Sequence, residues 1–204
     1  ADAELGIAWA AVSGAQSPEQ AENLLSQFVS DHSNHGDVPH AIAARANVLD
    51  RMGKRDEATR VRLNVLTDYS DSVAASQVLD TLAVVLPAPW PELVRSRWKQ
   101  RLDSITNQSH KLSAETFVHL FASSLESSDD PLWQSTVTAM LKTDGDGNLT
   151  TDVLVQLSAS HDGNPATKSA TQVHVAEHLA VDLLGRLIDL ANAKDGRLDR
   201  PNQP

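Results

Sequence analysis

Apolar positions recur along nearly the whole chain at the three-and-four spacing of an α-helix, and two-residue alternation is almost absent. Leu5, Ala8, Trp9 and Val12 make the first apolar face, closed by Gly14. Ser17-Pro18-Glu19-Gln20 then predicts a helix start. Ser17 can cap it, Pro18 fits a first turn whose N–H has no helical acceptor, and Gln20 can complete a capping box. Ala21, Leu24, Leu25 and Phe28 form the stripe of this second helix, and the polar run from Asp31 to Gly36 ends it. Pro39 opens a third helix with Ile42, Ala46 and Leu49 inward, and Gly53 supplies a left-handed stop. A fourth helix carries Ala58, Val61, Val65 and Leu66, and a fifth Val78, Leu79, Leu82 and Val85. Pro87, Pro89 and Pro91 must break the fifth, because proline lacks the donor a helix needs. Val94, Trp98, Leu102 and Ile105 mark a sixth.

The polar break from Asn107 to His110 is the expected boundary between two regions, residues 1–106 and 107–204. Beyond it, Leu112 and Phe117 flank a Ser113 cap with the spacing of a hydrophobic staple. Asp130-Pro131 starts the next helix, with Trp133, Val137, Met140 and Leu141 inward. The apolar piece from Val153 to Leu157 fits a helix or a strand, and Ser158 to Lys168 reads as a polar loop. Ser169-Ala170-Thr171-Gln172 is a second capping box, expected to open the longest helix, to about Ala191. Residues 200–204 have no apolar anchor and are expected to be mobile. The pattern predicts an all-α fold.

The N-terminal helices carry an internal echo. The stretch from Glu19 to Asn34 aligns with that from Asp56 to Asp71 at a period of about 37 residues, and Leu5, Trp9 and Val12 fall opposite Ile42, Ala46 and Leu49. A helix pair repeated at this period is the mark of a solenoid in which each hairpin buries its face on the next. On these residues, with the turn Gly53-Lys54-Arg55-Asp56-Glu57-Ala58, the segment from about 3 to 105 resembles the tetratricopeptide (TPR) family. Within the pattern, Arg62 stands where that family carries a large apolar residue, and Ala46 where it carries glycine. The resemblance implies stacked antiparallel hairpins, with the pair from Val73 to Ile105 as a third, and a concave face that binds a peptide or protein. It places His40, Ala44 and Asn47, on the first helix of the second hairpin, as candidate partner-binding positions. Tyr69-Ser70-Asp71-Ser72 resembles the helix-ending turn of TPR proteins in the bacterial cell envelope. A start at Ala1-Asp2-Ala3-Glu4 is compatible with signal-peptide removal, so an envelope or secreted location is the expectation these features favour.

Charge narrows the partner. Asp and Glu number 27 against 17 Lys and Arg, a net charge of −10, which leaves no basic stripe for nucleic acid or for an anionic bilayer surface. No apolar run approaches the ~18 residues of a membrane span. The chain has no cysteine, which removes disulfides, thiolate metal sites and thiol nucleophiles. An acidic surface favours a protein partner of basic or mixed charge, with electrostatics acting on encounter more than on affinity.

Two motifs offer chemistry. The stretch from Lys142 to Thr150 resembles the calcium loop of an EF-hand, with Asp144, Asp146, Asn148 and Thr150 as oxygen ligands, and Asp195-Gly196-Arg197-Leu198-Asp199 echoes it. Lys142 in the first ligand position, Val153 in the last, and Ala191 and Ala193 in the second copy remove oxygens. The pair therefore reads as degenerate and structural, with calcium binding as the alternative. His174-Val175-Ala176-Glu177-His178 matches H-x-x-E-H, which could place His174, Glu177 and His178 at a zinc ion with Asp182 or His161 as a further ligand. A polar face on a long helix explains the same residues, as a solvated loop explains His32 and His35 near His40. No nucleophile elbow or phosphate-cradling glycine loop is present. The expectation is a non-catalytic interaction or assembly scaffold with no required cofactor, and the rival is a metal-responsive module.

Overall fold

The structure, a computed structural model, describes residues 2–15, 17–87, 89–105, 112–124, 130–144, 148–158 and 178–185. The fold is all-α, and among the described residues there is no strand. The chain divides into two compact units, Ala1–Leu86 and Pro87–Pro204.

The first unit contains α1 (Asp2–Ala10) running into a π-helical turn (Ala11–Ala15), then α2 (Pro18–Asp31), α3 (Val38–Arg51), α4 (Arg55–Asp68) and α5 (Val73–Val85). Each helix packs on the next in chain order, and α3 also packs on α5. The starts obey local chemistry. Ser17 accepts the Gln20 N–H at 3.3 Å ahead of Pro18, and Ser72 accepts the Ala75 N–H at 3.1 Å. Gly53 ends α3 at φ 77°, the left-handed region that costs a glycine nothing. The unit's core joins Leu5, Ala8, Leu25, Phe28, Ala41 and Val48, and burying Leu25 or Phe28 contributes about 1.5–3 kcal/mol each. Small residues are buried where helices cross closely, Ala21, Ala46 and Ala58 among them. Arg51 reaches back to donate to the Val12 carbonyl at 3.0 Å, so the π-helical turn is held from α3.

The second unit contains α6 (Glu92–Ser104), α7 (Ala114–Ser123), α8 (Pro131–Thr143) and α9 (Asn148–Ser158), and residues 178–185 are helical. The α8 helix packs on α6 and α7, and α9 packs on α7. Trp98, Phe117, Phe121 and Trp133 fill its interior, with the Phe121 and Trp133 rings edge-on at 4.8 Å. Arg95 of α6 donates to the Ser123 carbonyl at 2.7 Å and to the Asp130 carboxylate. Asp130 also caps α8 by accepting the Leu132 N–H at 2.8 Å, so one carboxylate starts a helix and anchors its neighbour.

Several expectations shift. The two compact units divide at Leu86/Pro87, with α5 in the first and α6 in the second. The triple-proline break is thus the boundary, since it ends one helix and prevents the next from continuing it. The ambiguous piece around Val153 is helical, with Val153 buried. Trp9, Val85 and Leu141, expected inward, are substantially exposed; each lies at the flank or end of its stripe. The second capping box, most of the helix expected to follow it and residues 200–204 lie outside the described residues.

Candidate functional site

A groove of about 370 Å³ in the first unit is lined by Asp50, Arg55, Thr59, Arg62 and Val85. Helical spacing builds one wall: Arg55, Thr59 and Arg62 stand at i, i+4 and i+7 along α4 and share a face. Asp50 comes from the last turn of α3 and Val85 from the end of α5.

Arg62 is the centre of this arrangement. It is 2% exposed, in a stripe whose other members are Ala58, Val61, Val65 and Leu66. A buried guanidinium requires a counter-charge and acceptors. One terminal nitrogen supplies both contacts, donating to Asp50 Oδ2 at 2.5 Å and to Asn47 Oδ1 at 2.8 Å. Asn47 and Asp50 lie three residues apart on α3, so one face of that helix presents both acceptors. The guanidinium carries five N–H donors. Its Nε and second terminal nitrogen make no hydrogen bond among the described residues. Arg55 is exposed and has no ion-pair partner among the described residues.

A second hollow, about 80 Å³, lies between α1 and α2 against Phe28 and is lined in part by Glu4, Asp31 and His32. It has room for only about two or three waters. His32 hydrogen-bonds Glu4, His35 meets Asp2 at 3.3 Å and Asp37 at 3.7 Å, and both imidazoles rest on the Phe28 ring. The His32 hydrogen bond holds the Glu4 carboxyl below its ordinary range. These histidines clasp α1 to the α2–α3 turn.

Of the three partner-binding candidates, Asn47 is exposed and bound to Arg62, and His40 is half-buried in the first turn of α3. Ala44 belongs to the core cluster at 5% exposure, so it fills space between helices and offers no contact surface. Of the calcium candidates, Asp144 accepts the Leu149 N–H at 3.1 Å, the Thr150 N–H at 2.8 Å and the Thr150 hydroxyl. Both its oxygens thereby cap the start of α9, the favoured place for an anion near unpaired helical N–H groups. Asn148 is exposed at the first position of α9, and Asp146 lies outside the described residues. His174, Glu177 and His161 also lie outside them. His178 is exposed, with its ring edge-on to Trp133 at 6.4 Å, and Asp182 accepts the Trp133 indole N–H at 3.1 Å. Among the described residues no group of three or more His, Asp or Glu is arranged to hold a metal ion, and no helix is long and apolar enough to cross a membrane.

In the sequence Arg62 stands out only as a departure from the repeat pattern. The available signal was a lone arginine inside an apolar stripe, with Asn47 and Asp50 one helix earlier at a spacing that could receive it. No protein-family model matches the chain, and no match to it is found among the curated proteins or the solved structures.

Proposed function

We propose that the first unit is a non-catalytic docking module for another protein or peptide, and that the chain serves interaction or assembly. The observation that carries this reading is the groove itself. Its size and its mix of charged, hydroxyl and apolar lining suit a segment of a partner chain, and it contains no nucleophile–base pair. The hairpins around it add support: α2 and α4 have equal length, lie 37 residues apart and end in the same backbone geometry, as TPR-like hairpins would.

The test replaces Thr59, inside the groove, with a photo-cross-linking amino acid in the full chain, and uses exposed Arg60 on the same helix as the control. Irradiation in extract of the source cells should yield a discrete adduct, identified by mass spectrometry, from position 59 and not from position 60. Equal labelling from both positions, or none from either, removes the docking role.

A further inference from the structure

We infer that the groove between α3, α4 and α5 recognises a side-chain carboxylate of an acidic peptide. This rests on the docking reading above and gives it a ligand chemistry. Three observations converge on it. First, Arg62 is buried, lines the groove, and has donors on two nitrogens that no described residue engages. Neither nitrogen is sealed from solvent, so both are open to an acceptor that enters the groove.

Second, charge is distributed against the trend of the chain. The whole protein carries −10, yet residues 38–68 contain six Lys and Arg against four Asp and Glu. Three of those six cations are engaged elsewhere: Arg45 with Glu22 at 2.7 Å, Lys54 with Glu57 at 4.0 Å, and Arg51 with the Val12 carbonyl. Arg55 is left on the groove wall two turns from Arg62, on the same helix face. A cationic hollow in a protein of net charge −10 draws an anionic segment toward it.

Third, the local balance selects the kind of anion. Arg55, Arg62 and Asp50 together leave one positive charge in the groove. One carboxylate neutralises it. A phosphate monoester, at about −1.5 to −2, would overshoot beside the Asp50 carboxylate. Thr59 offers a hydroxyl donor, and exposed Val85 offers apolar surface for the methylenes that lead to a glutamate carboxylate.

The test measures fluorescence anisotropy of a labelled, end-blocked hexaglutamate peptide on the full chain, beside hexaglutamine and with inorganic phosphate as competitor. Hexaglutamate should bind and hexaglutamine should not. Arg55→Gln should weaken binding about three- to tenfold, the range for one charge-assisted contact at a partly exposed site. Arg62→Leu, checked for folding by circular dichroism, should abolish it. Equal affinity for the two peptides, no change in either variant, or displacement by phosphate at lower concentration than by free glutamate would overturn the inference. If Thr59 cross-links a partner while hexaglutamate fails to bind, docking stands and the carboxylate falls. If hexaglutamate binds in an Arg55- and Arg62-dependent way while Thr59 labels nothing, the carboxylate site stands and the docking role falls.

Discussion

Helices α2 and α4 are two versions of one element. Both have 14 residues, both bury an alanine in the first turn (Ala21 and Ala58), and both end on a residue with nearly the same backbone. His32 stands at φ −128°, ψ 41° with its N–H on the Phe28 carbonyl, and Tyr69 at φ −133°, ψ 39° with its N–H on the Val65 carbonyl. Among the inward positions between these matched ends, one changes from apolar to charged. Leu25 is fully buried in α2, and the residue 37 positions later is Arg62, buried as deeply. Backbone geometry therefore depends on the ends and the small residues at close crossings. The large inward position is free to be apolar or charged, provided the neighbouring helix supplies acceptors. That choice matters because a buried ion pair is often no more stabilising than a packed aliphatic side chain. An arginine where leucine would serve the core points to a use beyond the core.

Swapping the two residues tests this contrast most severely. Leu25→Arg, placed where no acceptor pair has been built, should cost about 3–5 kcal/mol or prevent folding. Arg62→Leu should change stability by no more than about 1 kcal/mol, because Asn47 and Asp50 keep access to water. Denaturant midpoints on both variants decide it, and similar losses would mean the two positions are not comparable. Asp50→Ala comes next. It leaves the guanidinium with a single acceptor and should lower stability by about 2 kcal/mol, read from urea unfolding. If Asp50→Ala costs less than Arg62→Leu, the carboxylate is not what holds Arg62 in place.

The helix starts differ too. Ser17 caps α2, while Lys54 precedes α4 without a side-chain cap. Ser17→Ala should cost about 1 kcal/mol and Lys54→Ala close to nothing, a difference visible as a melting-temperature shift in the first variant alone. The smallest effect concerns pH. Burial raises the Glu22 carboxyl, but hydrogen bonds from Arg45 and Ser26 outweigh it, and the group ends below its ordinary 4.5. A carboxylate depressed in the folded state contributes stability at neutral pH and loses it as the pH falls through the folded value. Wild type should therefore lose more stability than Glu22→Gln between neutral pH and the acid limb below 4.5. Parallel pH profiles for the two proteins would show that the Arg45 pair contributes nothing to folding.

Much of the fold was legible because it depends on local chemistry. The Ser17, Ser113 and Asp130 starts, the Gly53 stop and the apolar stripes are properties of segments a few turns long. The groove was not legible for the opposite reason. It requires Asp50, Arg62 and Val85 to converge from three helices, and a stripe pattern reports only which face is apolar. Ala44 shows the same limit, since its spacing fits a contact face as well as a core and only its neighbours decide. Asp144 shows it once more: an aspartate in a turn is a ligand or a cap depending on which N–H groups the next helix brings to it.

By itself the sequence determined an all-α chain, the capped starts, the breaks and the 37-residue echo, because helix periodicity and end chemistry are written within a few residues. Only tertiary structure decided that the prolines from Pro87 to Pro91 mark the division into units. It alone gave Arg62 its two acceptors and left its remaining donors beside a groove. The partners of a buried charge lie one helix away in space, where no local pattern reaches.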